Sequence, residues 1–333
     1  MRYNIFIFLI SIFLCSCTFQ KNQPVFFPTS VNLQFDSIVI PPKLLSVTRL
    51  FIAHDMLIAF EQRKDTLFSF WKLPECRYLF SAGIKGQGPD DFLTLDKVFV
   101  ETVNGFKTFE LSSNKVKEIK IDTIGGFKLL VEQRLNIDQM PLNRFTFLSD
   151  SSYCFLSDND NYEYTLLDKE HHLRSFSPYP KVLYKEKDES NSYLYNKLLV
   201  SRPDGERFAT FYAYVKMLRI YNKSGEMLKE VVMKEPVKTA GNEERTVYYS
   251  AYPSATNQCI YVLNNESELQ KCLEVWSWDG TPITRYLLDK KINAFVISEK
   301  YNMIYAIDRD VDNVIYTYKI NPMVSSKSIL YKK

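Results

Sequence analysis

Six aromatic-rich segments recur along the chain at a spacing of about 45 residues, the period of a four-stranded propeller blade. They are LFIAHDMLIAFEQRKDTLFSFW, KVFVETVNGFKTFEL, RFTFLSDSSYCFLSDNDNYEYTLL, FATFYAYVKMLRIYNKSGEMLKEVV, CIYVLNNESELQKCLEVWSWDGTPITRYLL and AFVISEKYNMIYAIDRDVDNVIYTYKI. Within each, strand-sized runs alternate with polar turns carrying Asn, Asp, Gly, Ser or Lys. Helical periodicity is hard to find after the first residues. Aromatic residues make up 15% of the chain, a content that favours sheet. A chain of this period and composition reads as all-β, a six-bladed β-propeller.

The blades fall at approximately 44–91, 92–139, 140–190, 195–240, 245–290 and 291–321. In LRIYNKSGEMLKEV and LEVWSWDGTPITRYLL, Gly225 and Gly280 end the turn between two strands, where a positive φ is needed. The last unit is one strand short. An early strand, NLQFDSIVI (32–40), precedes the first unit and needs a partner. Pairing it into the last blade closes the ring and covers an edge whose free N–H and C=O groups would invite aggregation.

The N-terminus reads as an address. MRYNIFIFLISIFLCSC has one cation, Arg2, then a short apolar run, the pattern of a secretory signal. Leu14-Cys15-Ser16-Cys17 resembles the bacterial lipobox, departing from it at Cys15. That resemblance implies a signal peptide over 1–16, lipidation at Cys17, a tether over 17–30 and a single propeller domain over 31–333. Three acyl chains anchor a protein without a membrane-spanning helix. TFQKN, directly after Cys17, lacks an acidic pair, which favours an outer-membrane position facing the periplasm. Lys plus Arg (42) nearly balance Asp plus Glu (39) and are scattered, so no nucleic-acid footprint is present.

Three further stretches carry a family likeness. RPDGERFATF (202–211) is similar to the S-P-D-G turn-and-strand repeat of TolB-like propellers, with Arg202 in place of Ser. WKLPECRYLFSAGIKGQGPDDF and LEVWSWDGTPITRYLLD resemble the first-blade ending and fifth-blade hairpin of TolB-like six-bladed β-propeller lipoproteins of Bacteroidota. Asp90 stands where that family more often has Gly or Asn. The resemblance implies the architecture and an envelope location, and no particular reaction.

The densest glycine run, GIKGQGPDDF (83–92), invites comparison with a phosphate-binding loop. No helix follows it, Asp91 takes the third glycine's place, and Asp90 and Asp91 would repel a phosphate. It reads instead as the connector from first blade to second. Gly83, Gly86 and Gly88 would take unusual dihedrals, Pro89 would stiffen the exit, and Phe92 would dock between blades.

Hydrolase, zinc-protease and P-loop motifs are absent from the sequence. Three His residues occur, His54, His171 and His172. The adjacent pair lies between two strands, where neighbouring side chains point apart, and reads as a solvated turn. Asp308, Asp310 and Asp312 match the first three ligand positions of a calcium loop, but Asn313 and Lys319 break the pattern. Asp158 and Asp160 share the spacing until Tyr162. Both clusters read better as hairpin tips, and no cofactor is expected.

Cys259 and Cys272 lie on the two arms of a hairpin. They read either as a cross-strand disulfide or as two small buried thiols. Cys76 and Cys154 have no evident partner.

The functional expectation is a non-catalytic binding or scaffolding propeller that contacts a protein, peptide or glycan through one face. The rival is a glycan hydrolase or lyase. It requires two carboxylates, or His with Arg or Tyr, converging at the central channel.

Overall fold

The computed structural model describes residues 25–41, 44, 46–137, 144–149, 151–157, 160–183, 185, 187, 189–233, 245–265 and 271–321. Their strands form six sheets around a central axis, as the repeat predicts. Blade one comprises Arg49–Ala53, Met56–Phe60, Thr66–Lys72 and Arg77–Ile84. Blade two comprises Leu95–Glu101, Gly105–Glu110, Lys115–Ile121 and Phe127–Arg134. Thr146–Phe147, Tyr153–Leu156, Tyr162–Leu167 and Leu173–Pro178 make blade three. Lys197–Ser201, Arg207–Tyr212, Met217–Asn222 and Met227–Val232 make blade four. Blade five holds Ser254–Ala255, Cys259–Asn264, Lys271–Ser277 and Pro282–Leu288. Blade six has three local strands, Ala294–Ser298, Met303–Ile307 and Val314–Lys319.

Each blade is an antiparallel meander whose first strand lies innermost, against the first strands of neighbouring blades. Burial follows the radius. Met56–Phe60 is buried at every position, whereas Met227–Val232, an outermost strand, exposes its first four residues. The gaps between blades are filled by aromatic side chains. Phe51 stacks on Phe99 of the next blade at 4.3 Å between centroids, and Phe109 stacks on Phe145 at 4.0 Å.

Closure uses two N-terminal strands where the sequence suggests one. Asp36–Val39 pairs antiparallel with Val314–Lys319 and becomes the outermost strand of blade six. Ile40 N–H extends that ladder to Asn313 O at 2.9 Å. Ser30–Leu33 lies parallel to Pro282–Leu288 and adds a fifth strand to blade five. The docked segment also begins earlier than the expected boundary at residue 31. Phe27 meets Trp276 edge-on at 4.9 Å and lies under the Arg285 guanidinium at 4.4 Å. Residues 1–24, with the signal and Cys17, lie outside the described residues.

Two turns explain why their sequences fold as they do. Gly205, in RPDGERFATF, has φ +72°, and a Cβ there would meet the Ser149 backbone at 2.4 Å. The turn is pressed onto blade three, with Ser149 N–H donating to Gly205 O at 3.2 Å.

The connector GIKGQGPDDF wraps its own carboxylate. Gly88 N–H donates to Asp91 Oδ2 at 2.8 Å. Cβ atoms on Gly86 and Gly88 would lie 2.3 and 2.8 Å from that same oxygen. Gly83 has the expected positive φ, +80°, but Gly86 and Gly88 do not. Those two are glycine for space, not for dihedral freedom, which corrects the expectation. Phe92 is fully buried between blades one and two, 6.0 Å from both Phe68 and Phe127. Lys117 clamps the loop, donating to Asp91 O at 2.8 Å with its ammonium 4.9 Å from the Phe92 ring centre.

Two outcomes follow. A chain that starts at Pro41 loses both closing strands. Its melting temperature should fall by about 10 °C or more in one cooperative transition. Hydrogen exchange that finds only blades five and six loosened would contradict a ring-wide role for closure. Gly88→Val displaces the Asp91 carboxylate and should cost about 1–3 kcal/mol in denaturant melts. An unchanged midpoint would mean that the carboxylate does not hold the loop.

Candidate binding site in the central channel

All six inner strands start at the same mouth of the ring, because every blade repeats the same meander. Arg49 opens the inner strand of blade one, Asp96 and Lys97 lie near the head of the next, and Arg144 lies two residues before that of blade three. Tyr252 occupies the matching place before blade five. These side chains line one end of a cavity of about 410 Å³ bounded by inner-strand residues.

Tyr252 organises this mouth. The Arg49 guanidinium lies 4.9 Å from the centre of its ring, Lys97 Nζ 5.7 Å and the Arg144 guanidinium 5.8 Å. Arg49 donates through Nη2 to Pro253 O at 2.9 Å, while its Nε and Nη1 are buried without a partner. Arg144 is braced from behind by Asn196 Oδ1 at 3.1 Å and the Lys197 carbonyl. Arg309, tied to Val47 O at 2.8 Å, adds a further cation to the field.

Asp96 is the single carboxylate lining this end among the described residues. It is buried, and Phe145 N–H donates to its Oδ2 at 3.1 Å. Burial raises its carboxyl to about 6, against the opposing pull of backbone N–H groups, Arg144 and Lys97. Burial also lowers Arg49 to about 10, with Tyr252 and Asp96 acting against it. At neutral pH the guanidinium therefore stays charged. Lys97 is lowered first by burial and then by Arg144.

The opposite mouth is different. The inner strands end there at Asp55, Glu101, Glu299 and Lys300. Lys300 pairs with Asp55, and Glu101 Oε1 accepts from His54 N–H at 2.7 Å. Between the mouths the walls include Leu50, Ile52, Val98, Val200 and Val296. The channel is thus cationic at one end and acidic at the other, with aliphatic side chains in its middle and Thr146, Ser201, Ser254 and Ser298 also in its walls.

Behind Arg144, a buried ion network joins blades three and four. Glu163, fully buried, accepts from Arg219 Nη1 at 2.6 Å and Tyr212 OH at 2.8 Å, and pairs with Lys197. Burial pulls the Lys197 ammonium below its usual value. This network holds the strand whose Lys197 carbonyl positions Arg144.

The residues singled out from the sequence lie elsewhere. Gly83, Gly86, Gly88, Pro89 and Phe92 form the connector already described. His54 Nε2 contacts Thr102 O at 2.9 Å, and His171 and His172 are exposed on the outer hairpin of blade three. Asp310 N–H donates to Asp308 Oδ1 at 3.1 Å, and Asp310 pairs with Lys291, giving a hairpin tip rather than a ligand shell. No group of three His, Cys, Asp or Glu among the described residues could hold a metal. Asp160 binds Lys185 at 2.7 Å, and Asp158 lies outside the described residues.

The cross-strand disulfide is not formed. Cys259 pairs in register with Ser277 and Cys272 with Asn264, at opposite ends of their hairpin. Cys272 lies opposite Asn264, five residues along the strand from Cys259, which sets the two cysteines about 17 Å apart. Cys76, Cys154, Cys259 and Cys272 are all free thiols.

Sequence reasoning missed Arg49, Lys97, Arg144 and Tyr252. A signal was present: a basic residue lies within two residues of the start of the inner strand in three consecutive blades.

A family model described as TolB-like 6-blade propeller-like matches residues 48–300. Among solved structures, the chain resembles a candidate exported protein of Bacteroides fragilis at 11% identity and TM-score 0.54. That match covers 88% of this chain and 99% of the other. It also resembles a DUF4221 family member from Bacteroides vulgatus at 9% identity and TM-score 0.54, covering 86% and 98%. These likenesses concern the fold. No curated protein matches in sequence, and no described helix is long and apolar enough to cross a membrane.

The Asp96 carboxyl, raised from 3.8 to about 6, gives a stability test. The folded chain binds this proton more tightly than the unfolded chain. The stabilisation is therefore complete below pH 3.8 and is lost as pH rises through 6. Asp96→Asn should stabilise the protein at pH 7.5 by about 1–3 kcal/mol and remove this contribution to the pH dependence. A destabilised variant in denaturant melts would show that Asp96 is held as a needed anion.

Proposed function

The chain belongs to the TolB-like six-bladed propeller family, and from that premise we propose a non-catalytic binding module of the bacterial envelope. Lipid on Cys17 tethers it at the outer membrane, facing the periplasm. The cationic mouth of the channel receives part of a protein, peptide or glycan partner.

One observation carries this reading: Arg49, Lys97 and Arg144 gather around Tyr252, with Asp96 the single carboxylate at that mouth among the described residues. Such a set recognises charge and shape. Glycoside hydrolysis needs two carboxylates flanking one bond, and the other channel carboxylates belong to the far mouth. The rigid ring favours binding, since it holds loop and strand-end residues in place.

Immobilised mature chain, incubated with detergent-solubilised envelope, is expected to retain a partner and return it chemically unchanged. An unrelated immobilised protein serves as control. Processing of a glycan or peptide without retention would overturn the binding reading.

A further inference from the structure

We infer that the Arg49 mouth is an oxyanion site, taking a small organic molecule with a carboxylate or phosphate head and a less polar body. This rests on the binding-module reading and adds the chemical class of what is bound.

The Arg49 guanidinium has unmet hydrogen-bonding capacity. Arg49 spends Nη2 on Pro253 O, leaving Nε and Nη1 buried and without partners. A buried donor without an acceptor costs about 1–3 kcal/mol, more where the group is charged. An oxyanion in the cavity that Arg49 lines would satisfy it. Guanidinium N–H groups match carboxylate and phosphate oxygens in charge and geometry.

The mouth also holds more cations than anions. Arg49, Lys97 and Arg144 all lie within 6 Å of one ring centre. Asp96 forms no ion pair with any of them among the described residues, its Oδ2 being bonded by Phe145 N–H. Beyond the effect of burial, Arg144 lowers the Lys97 ammonium, and Asp96 offsets that repulsion only in part. Arg144 cannot swing away to relieve it, because Asn196 and the Lys197 carbonyl hold it.

The cavity also constrains the size and direction of what it holds. The cavity of about 410 Å³ falls at the small-ligand end of binding pockets. Its middle is walled by Leu50, Ile52, Val98 and Val296, which suits an uncharged body. Glu101 and Glu299 at the far mouth would repel the anionic head. The ligand therefore has one orientation, with its head at Arg49.

The test is calorimetric titration of the mature chain at low salt with benzoate, glucuronate and inorganic phosphate, with glucose as the neutral control. At least one oxyanion should bind and raise the melting temperature, and glucose should do neither. Binding by glucuronate or benzoate but not phosphate would assign a carboxylate head, and the reverse a phosphate head. Arg49→Gln should weaken that binding by about tenfold or more. Lys97→Gln, at a half-buried position that tolerates a neutral side chain, should act in the same direction. Lys169→Gln, on the exposed outer hairpin of blade three and away from the channel, should leave affinity unchanged. The inference is overturned if none of the three anions binds at millimolar concentration, or if affinity is unchanged in Arg49→Gln and Lys97→Gln proteins that melt normally. Retention of an uncharged partner from the envelope, together with either result, would leave the binding module standing and remove only its oxyanion site.

Discussion

Six twisted sheets set radially leave wedge-shaped gaps, and filling those wedges is the constraint on which the rest of this structure depends. Aliphatic side chains alone reach across such gaps poorly. Here the seams hold Phe51 against Phe99, Phe109 against Phe145, Tyr164 against Phe208, and Phe211 against Tyr249. Each ring pair adds about 0.5–1.5 kcal/mol beyond the area it buries. The abundance of Phe and Tyr thus has a structural cause. It also explains why aromatic content by itself points to no binding surface in this chain.

The seams contain charge as well. Glu163 with Lys197 and Arg219 joins blades three and four, and Glu274 with Lys216 and Tyr249 joins four and five. Glu110 with Lys117 holds the connector into blade two. Buried ion pairs add little net stability over well-packed apolar residues, yet breaking one costs about 3–5 kcal/mol. Their physical effect is positional, because a blade that slid or rotated would strand a charge in the interior. For Lys197 that precision is passed directly to the channel, since its carbonyl is one of the two groups bracing Arg144.

Much of this architecture was legible in the residues. The blade period, the short last blade, the early strand that completes it and the docking of Phe92 all follow from local patterns of apolar residues and turns. The division of that early strand between two blades did not, because parallel pairing of Ser30–Leu33 on blade five has no local signature. Nor did the register that separates Cys259 from Cys272, which depends on where the turn is centred rather than on spacing alone. The channel residues were hidden for a different reason. Arg49, Lys97, Arg144 and Tyr252 are far apart in sequence and chemically ordinary, and ring closure is what brings them together. Their positions at strand heads, repeated blade by blade, carried the information.

That repetition also accounts for the polarity of the channel. In a propeller, equivalent residues of successive blades converge on the axis, so a preference at one strand position is multiplied around the ring. Basic residues at the heads of the first three inner strands become one cationic mouth, while Asp55, Glu101 and Glu299 at strand ends become an acidic one. Lys300 offsets only part of the latter through its pair with Asp55. The apolar middle holds the two sets of charges apart and screens their fields little, so a ligand on the axis feels attraction at one end and repulsion at the other. A nearly neutral protein thereby acquires a directed field along its axis, set by sequence position within the blade and not by net charge.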